Sequence, residues 1–526
     1  MFARVHGVAL LGALGQLVDL QADVSSGTPG TTIVGRADAM LNEGRDRSRM
    51  AVQNSGLEWP TSQRVTILLS PADLPKFGTH YDLAMAISVL AATGVVPPGS
   101  LSGTALIGEL SLDGGLRSVA GVLPMVLAAE RQGVHRVIVP EPQAAEAAMV
   151  AGVEVLGLRS LAQVVAELNG DEVPWAPVVP PLGKGGFLGW RGQHRLDDLD
   201  MADLRGLDDA KFAIEVAAAG GHHILLSGAK GCGKTSLAER IPGILPDLDH
   251  DTAVELMALR SLAGRLDPSE GLVRRPPYAA PHHDASKGAL VGGGSGKVSP
   301  GQLSLAHGGV VFLDEFPLFQ TDAIDALREP MESGEICVSR MEETLHLPAR
   351  AMIVLASNPC PCGDLGNRRA SCQCSAAEKR NYQKRIRGPI YDRLDITRLL
   401  QPPTPGEGDS LAPARSSAEM RFAVAEARAR QASRYAGTDW RLNSEVPGAT
   451  LRERWPLPGE AERELRMAVS DGTFTNRAAV RTHRLAWTVA DLLGLAEPGL
   501  SEVRIAMALR TGAALNSGVV QRRLVG

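Results

Sequence analysis

Gly228 to Thr235 read GAKGCGKT, satisfying G-x-x-x-x-G-K-[ST] between an apolar run, HHILLS, and a helix-compatible segment, SLAERIPG. Strand, glycine-rich loop and helix in that order suit phosphate binding. Glycines let backbone N–H groups turn inward around phosphate oxygens, and the positive end of the following helix adds to their pull. Gly228, Ala229, Lys230, Gly231, Cys232, Gly233, Lys234 and Thr235 are therefore the candidate nucleotide-binding residues. Lys234 can reach the β and γ phosphates of ATP, and the Thr235 hydroxyl can ligate Mg2+.

Further on, GGVVFLDEF ends an apolar run in Asp314 and Glu315. Asp314 can hold the Mg2+ shell while Glu315 orients and deprotonates an attacking water. Such a pair is often only a solvated strand terminus, but beside a phosphate loop it points to ATP hydrolysis. AMIVLASNP ends in Asn358, whose amide can hold the water or the γ-phosphate, or simply cap a turn. Directly behind it, Cys360, Cys362, Cys372 and Cys374 form C-x-C, nine residues, C-x-C. Four thiolates suit a tetrahedral structural Zn2+. Four reduced cysteines and an iron–sulfur cluster are the alternatives, and the Asp, Asn and Arg neighbours favour zinc over an apolar pocket of buried thiols.

The elements that position these groups fall into four stretches. Residues 1–170 alternate strands (RVTILLSPA, HRVIVP) with Ala-rich helices (YDLAMAISVLAATG, GVLPMVLAAERQG), an α/β domain. Residues 171–195 cluster Pro and Gly without periodicity, as a linker does. Residues 196–400, including the cysteine loop 360–374, carry near-continuous apolar strands that imply a parallel sheet covered by helices. Residues 401–526 are helical, with Gly and Pro stops, and form a smaller helical domain.

Composition narrows the class. The 526 residues imply three or four domains. Lys+Arg 54 against Asp+Glu 59 gives a net charge of -5, which excludes a uniformly basic nucleic-acid coat but allows a basic channel. Six cysteines are too few for a disulfide scaffold and suit a reducing compartment. The opening MFARVHGVALLGALGQLVDL is interrupted by Gln16 and Asp19 and lacks a small-residue cleavage site, so a cytoplasmic protein is expected. No run approaches the roughly 18 apolar residues of a membrane-spanning helix.

GAKGCGKT, RPPYAAPHHDASKGALVGGG, PGQLSLAHGGVVFLDEF, ALREPMESGEICVSR, SNPCPCG and GPIYDRLDI, in that order, resemble the magnesium-chelatase-like AAA+ ATPases of the ComM/YifB family. TTIVGRADAMLNEGRDRSRMAVQNSG, SPADLPKFGTHYDLAMAISVLAATG and GELSLDGGLRSVAG resemble that family's N-terminal domain, which has a Lon-protease-like fold. The resemblance implies an AAA+ phosphate-loop core with a C-terminal helical lid, a homo-hexameric ring, ATP between subunits, and DNA moved through or along the ring, as in branch migration during recombination or uptake of transforming DNA. It makes Asn358 the first sensor, Arg393 in YDRLDI the arginine reaching a neighbour's γ-phosphate, and Arg477 in TNRAAVR the second sensor of the lid. Arg385 and Arg387 compete with Arg393, although RNYQKRIRG also reads as a solvated basic helix face. Departures are AKGC in the phosphate loop, Gln302 where Glu is common, and TNRA in place of SARA.

Two rival functions are weighed. A Lon-like protease needs a Ser–Lys pair, yet PKFGTHYD offers His80 where the Ser would stand, and GGLRSVAG has no Lys. A chelatase motor subunit for metal insertion would share the core but leave the first 170 residues without a role. For DNA, ESGEICVSRMEETLHLPA reads as an inserted β-hairpin with Arg340 beside its tip, resembling the hairpins that project into the channel of related rings. RRPPYAAPHHDASKGALVGGGSGKVSP adds Arg274, Arg275, Lys287 and Lys297, with Tyr278 available for stacking; each cation can equally be a solvated loop charge. His282 and His283 show no obvious third metal ligand.

Overall fold

The computed structural model describes residues 1–35, 39–72, 74, 76–181, 196, 198–293, 299–340, 343–365, 371–386, 388, 390–401 and 414–515. Two sheets dominate. The N-terminal one has seven strands in the spatial order Gly30–Val34, Arg64–Ser70, Leu14–Ser25, Phe2–Leu11, Thr104–Leu106, Arg136–Pro140 and Glu154–Leu158. The opening stretch forms its central antiparallel hairpin, with Leu11 opposite Leu14. Val18, Leu20, Ala22 and Val24 are buried, so Asp19, Gln21 and Asp23 fall on alternate positions, as a half-buried strand requires. The expected helices lie at Asp82–Ala92, buried along its whole length, and Val122–Arg131.

Residues 171–181 have no regular structure but are pinned to this N-terminal region. Side chains hold carbonyls of this segment: Gln163 Nε2 donates to that of Pro174 at 2.7 Å and Arg159 Nη1 to that of Ala176 at 3.3 Å. Residues 182–195 lie outside the described residues.

The second sheet is five-stranded and parallel throughout, in the order Tyr278–Ala279, Val310–Leu313, Met352–Ser357, Ile224–Gly228, Ile396–Leu400. Its alternation is strict. Ile224, Leu226, Val310, Phe312, Val354 and Ala356 share a core with the helices on one face. Leu225, Val311, Leu313, Ile353 and Leu355 pack on the other face against Leu303, Phe316 and Phe319. Burial on both faces explains why these strands read as unbroken apolar runs. The C-terminal helices Ser417–Arg434, Gly459–Ser470, Asn476–Leu493 and Leu500–Thr511 contribute to the first core, so the lid shares apolar material with the sheet.

Candidate nucleotide site and cysteine cluster

The phosphate-loop strand Ile224–Gly228 is the first of the five in the chain yet lies inside the sheet, with Met352–Ser357 on one side and Ile396–Leu400 on the other. Loops at the C-terminal ends of parallel strands open into a crevice at such a switch point. Gly231 (φ +77°) and Gly233 (φ +90°) take left-handed backbone conformations that a side chain would strain. Helix Lys234–Ile244 then starts at the lysine itself.

Lys234 is only 8% exposed. Its Nζ donates to the carbonyls of Gly228 (2.7 Å) and Ala229 (3.0 Å) and to Asn358 Oδ1 (3.1 Å). These partners are uncharged, so the ammonium is solvated by the loop and left with charge to offer a phosphate. Thr235 Oγ1 donates to Asp314 Oδ2 at 3.0 Å, which joins a hydroxyl and a carboxylate as hard oxygen donors fit for Mg2+. The other Asp314 oxygen accepts from the Glu315 N–H at 2.8 Å. Glu315 itself has φ +48°, the one non-glycine with positive φ among the described residues. Strain of this type costs of order 1 kcal/mol or more and marks a side chain aimed by the surrounding structure. The residues present thus fit MgATP.

Sequence reading missed Tyr382. Helix Ala376–Ile386 buries this residue beside the site, close to the Asn358 backbone. Burial, with the negative charges of Glu315, Cys360 and Asp314 nearby, pushes the phenol up to about 12. The only signal was an aromatic within RNYQKR, read above as a solvated basic face. Arg385 is exposed, as a solvated face requires, and its Nη1 also donates to the Pro317 carbonyl at 2.9 Å, tying the helix to the turn behind Glu315. Arg387 lies outside the described residues.

The four cysteines converge. Sγ separations are 3.3 Å for Cys360–Cys362 and 3.6 Å for both Cys362–Cys372 and Cys372–Cys360, and all four sulfurs lie within 4.8 Å of one another. A tetrahedron with metal–sulfur bonds of about 2.3 Å has edges of about 3.8 Å, so the cluster matches a Zn2+ site in size. Cys360 Sγ accepts from the Leu365 N–H and Cys374 Sγ from the Cys362 N–H, both at 3.4 Å. The Asp364 N–H and the Cys360 thiol pull Cys362 down to about 6, while burial pushes Cys360 up.

The two candidate arginines sit elsewhere. Arg393 ends the turn Tyr391–Arg393, just before strand Ile396–Leu400. Ile396 pairs with Ile224 and Leu400 with Gly228, so Arg393 lies at the sheet edge opposite the phosphate loop, a strand length of roughly 15 Å away. Its Nε pairs with Glu332 Oε1 at 3.1 Å. The lid clamps this turn: Arg481 Nη1 donates to Asp395 at 2.6 Å, and Arg510 Nη1 bonds the Leu394 carbonyl. Burial opposes ionisation of Asp395, but Arg481 and His222 hold it well below the usual carboxylate range. Arg477 is exposed in the first turn of helix Asn476–Leu493 and lines a cleft with His223, Glu332, Asp395 and Arg481 that includes no residue of the phosphate loop. The fold therefore gathers Arg393 and Arg477 around the opposite edge and brings neither to Lys234 of the same chain.

Of the cations considered for DNA, Arg274, Arg275 and Lys287 are exposed. The hairpin forms from Glu335–Arg340 and Glu343–Pro348, with Arg340 opposite Glu343; Met341, Glu342 and Lys297 lie outside the described residues. His282 and His283 do have a third donor, contrary to expectation, since the Asp284 carboxylate lies 3.2 Å and 3.6 Å from them. His80 Nε2 lies 2.8 Å from the Val8 carbonyl, a structural tie between the turn before helix Asp82–Ala92 and strand Phe2–Leu11.

Residues 200–406 match the family described as magnesium chelatase, subunit ChlI; residues 20–143 match subunit ChlI of Mg-chelatase; and residues 414–510 match the subunit ChlI C-terminal family. The chain is 43% identical over 511 residues to an uncharacterized protein of Mycobacterium tuberculosis, covering 97% of this chain and 99% of that one. It is 37% identical over 490 residues to the uncharacterized protein YifB of Escherichia coli, covering 93% of each. To the competence protein ComM of Haemophilus influenzae it is 35% identical over 517 residues, covering 95% of this chain and 96% of ComM. A shorter match, 24% identical over 180 residues (31% of this chain, 32% of the relative), links it to Lon protease 2 of Bacillus subtilis.

Proposed function

From the premise that the chain belongs to the magnesium-chelatase-like AAA+ family that includes YifB and ComM, we propose that it is an ATP-hydrolysing ring motor acting on DNA. The observation that carries this is the meeting of Lys234, Thr235, Asp314, Glu315 and Asn358 at one strand-end crevice while Arg393 stands at the opposite edge. MgATP supplies the bond to be cleaved and a cation that spreads its charge. Lys234 exchanges its loop carbonyls for phosphate oxygens. Thr235 and Asp314 offer the oxygens that hold the cation, Glu315 takes the proton of the attacking water, and Asn358 fixes that water's position.

An arginine that cannot reach its own phosphate loop acts on a neighbour's, which makes turnover depend on assembly. A closed ring, a hexamer in this reading, gives every chain such a neighbour. Arg477, at the same edge, faces the same neighbouring nucleotide. Arg481 and Arg510 of the lid position Arg393 through Asp395 and the Leu394 carbonyl. The hairpin around Arg340, with Arg274, Arg275, Lys287 and Lys297, supplies the DNA surface; two cations per chain in six copies give about twelve charges, enough for sequence-independent phosphate contact. The competence protein ComM among the relatives supports a role connected with transformation; in this reading the motor works in the cytoplasm on DNA undergoing uptake or recombination. No helix of the described residues is long and apolar enough to cross a membrane. The four cysteines hold a structural Zn2+ in this reading.

ATP turnover measured alone, with forked DNA and with a porphyrin tests the assignment. Several-fold stimulation by DNA alone supports it, whereas stimulation by porphyrin alone turns the reading to a chelatase motor.

A further inference from the structure

The cysteine loop leaves the sensor strand immediately after Asn358 and returns into helix Ala376–Ile386, which carries Tyr382. Both ends of the excursion therefore sit in the nucleotide site: Asn358 Oδ1 accepts from Lys234, and buried Tyr382 lies close to the Asn358 backbone. Its middle touches the site as well. The Lys230 N–H, in the phosphate loop, donates to the Gly363 carbonyl at 3.4 Å. Gly363 has φ +83°, and a Cβ there would lie 2.7–2.9 Å from the Lys230 side-chain stem, so loop and phosphate loop are in direct contact.

Little apolar burial holds this brace in place. Of the described residues 360–365 and 371–375, only Cys360 and Gly363 are buried. What does converge is the four sulfurs, with backbone N–H groups aimed at two of them, an outer shell suited to thiolates on a metal. A loop of this kind acquires its shape from the metal, and metal binding energy is then folding energy for the loop.

Resting on the zinc reading above, we propose that the metal site is a working part of the nucleotide site. One Zn2+ on Cys360, Cys362, Cys372 and Cys374 fixes Gly363 against Lys230 and holds Asn358 and the Tyr382 helix in register. The phosphate loop is thereby organised before ATP arrives, and binding costs less ordering. Zinc occupancy sets ATP affinity without any thiol touching the nucleotide.

The test uses the full chain purified without chelator. Zinc is counted by elemental analysis, then removed with a mercurial followed by excess thiol, and restored. Binding of a fluorescent ATP analogue in Mg2+ is measured at each stage. About one zinc per chain is expected, with affinity weakened roughly tenfold or more on stripping and recovered on restoration. Less than half an equivalent of zinc overturns the metal reading itself. A full equivalent with unchanged affinity after stripping overturns the coupling alone. Because stripping can unfold the loop broadly, Gly363→Ala supplies the second arm, since it keeps all four thiols while crowding the Lys230 stem; its zinc content is counted alongside, because the positive φ also strains the loop. It is expected to retain its zinc and bind the analogue several-fold more weakly; wild-type affinity at full zinc occupancy would overturn the route through Lys230.

Discussion

Both α/β regions bury charged and polar groups, yet they close them off differently. In the N-terminal region Lys76 is fully buried with its Nζ on the Pro71 carbonyl, His80 is tied to Val8, and Asp82 is gripped by Arg47 at 2.8 and 3.2 Å and by the Leu110 N–H at 3.3 Å. These partners are fixed parts of the sheet and its helices. In the core, Lys234 rests on turn carbonyls and on an amide at the open ends of strands, with Lys230 and Thr235 exposed beside it. A buried charge signals a ligand site where its partners are ones a ligand can replace.

The strongest way to sharpen this contrast is Arg393→Ala. Hydrolysis is expected to fall roughly 10³-fold while ATP binding stays near wild type. Mixing it with Lys234→Ala, which should itself abolish nucleotide binding, gives rings in which some interfaces retain both groups. Recovery of ATPase activity places the pair across a boundary; no recovery in demonstrably mixed rings means the arginine acts within its own chain, contrary to the strand-edge geometry.

Glu315 carries the next effect. Glu315→Gln should bind ATP and lose about 10²-fold or more in turnover. Glu315→Gly should be as slow yet gain up to about 1 kcal/mol in stability by relieving the positive φ, read as a higher unfolding midpoint. Equal midpoints for wild type and Glu315→Gly would mean that no strain is held there.

His80→Ala breaks a tie in the other region. It should cost about 1–3 kcal/mol in stability and leave turnover per folded chain unchanged. Loss of ATPase activity in fully folded protein would give the N-terminal region a part in the chemistry.

The smallest effect is in pH. Burial drives the His223 ring down to about 4, with its Nδ1 accepting from the Ile353 N–H at 3.1 Å. The folded core therefore resists a proton that the unfolded chain takes up near 6.5, and its stability falls as pH drops from about 6.5 to 4. Asp82 runs the other way. Burial raises it to about 7 despite Arg47, so the folded N-terminal region takes up a proton first and gains stability as pH falls from 7 toward 4. Segment-resolved hydrogen exchange at pH 7 and pH 5, corrected for intrinsic rates, should show protection shifting from the core to the N-terminal sheet. Parallel shifts in both regions would defeat this assignment.

Much of the site was legible because its parts are contiguous. Asp314, Glu315 and Asn358 directly follow apolar strands of the core, and Lys234 and Thr235 follow another across a short glycine loop; such strands announce themselves by composition. The N-terminal hairpin was not legible as strands, since Phe2–Leu11 mixes buried and half-buried positions without clean alternation. Tyr382 was hidden for a different reason. Its helix carries Lys379, Arg380, Lys384 and Arg385 around a single buried residue, so no apolar stripe marks the covered face.

The sequence by itself determined the phosphate loop, the acidic strand end and the set of four thiols, because each depends on residues a few positions apart and on backbone conformations that glycine spacing encodes. Only the tertiary structure decided that Arg393 and Arg477 share the edge opposite Lys234, that Gly363 braces Lys230, and that Tyr382 overlies Asn358. The physical reason is that these relations follow from strand order and register. Period-2 hydrophobicity specifies which face of a strand is buried, but it carries no information on which strand lies beside it or in which direction each edge opens.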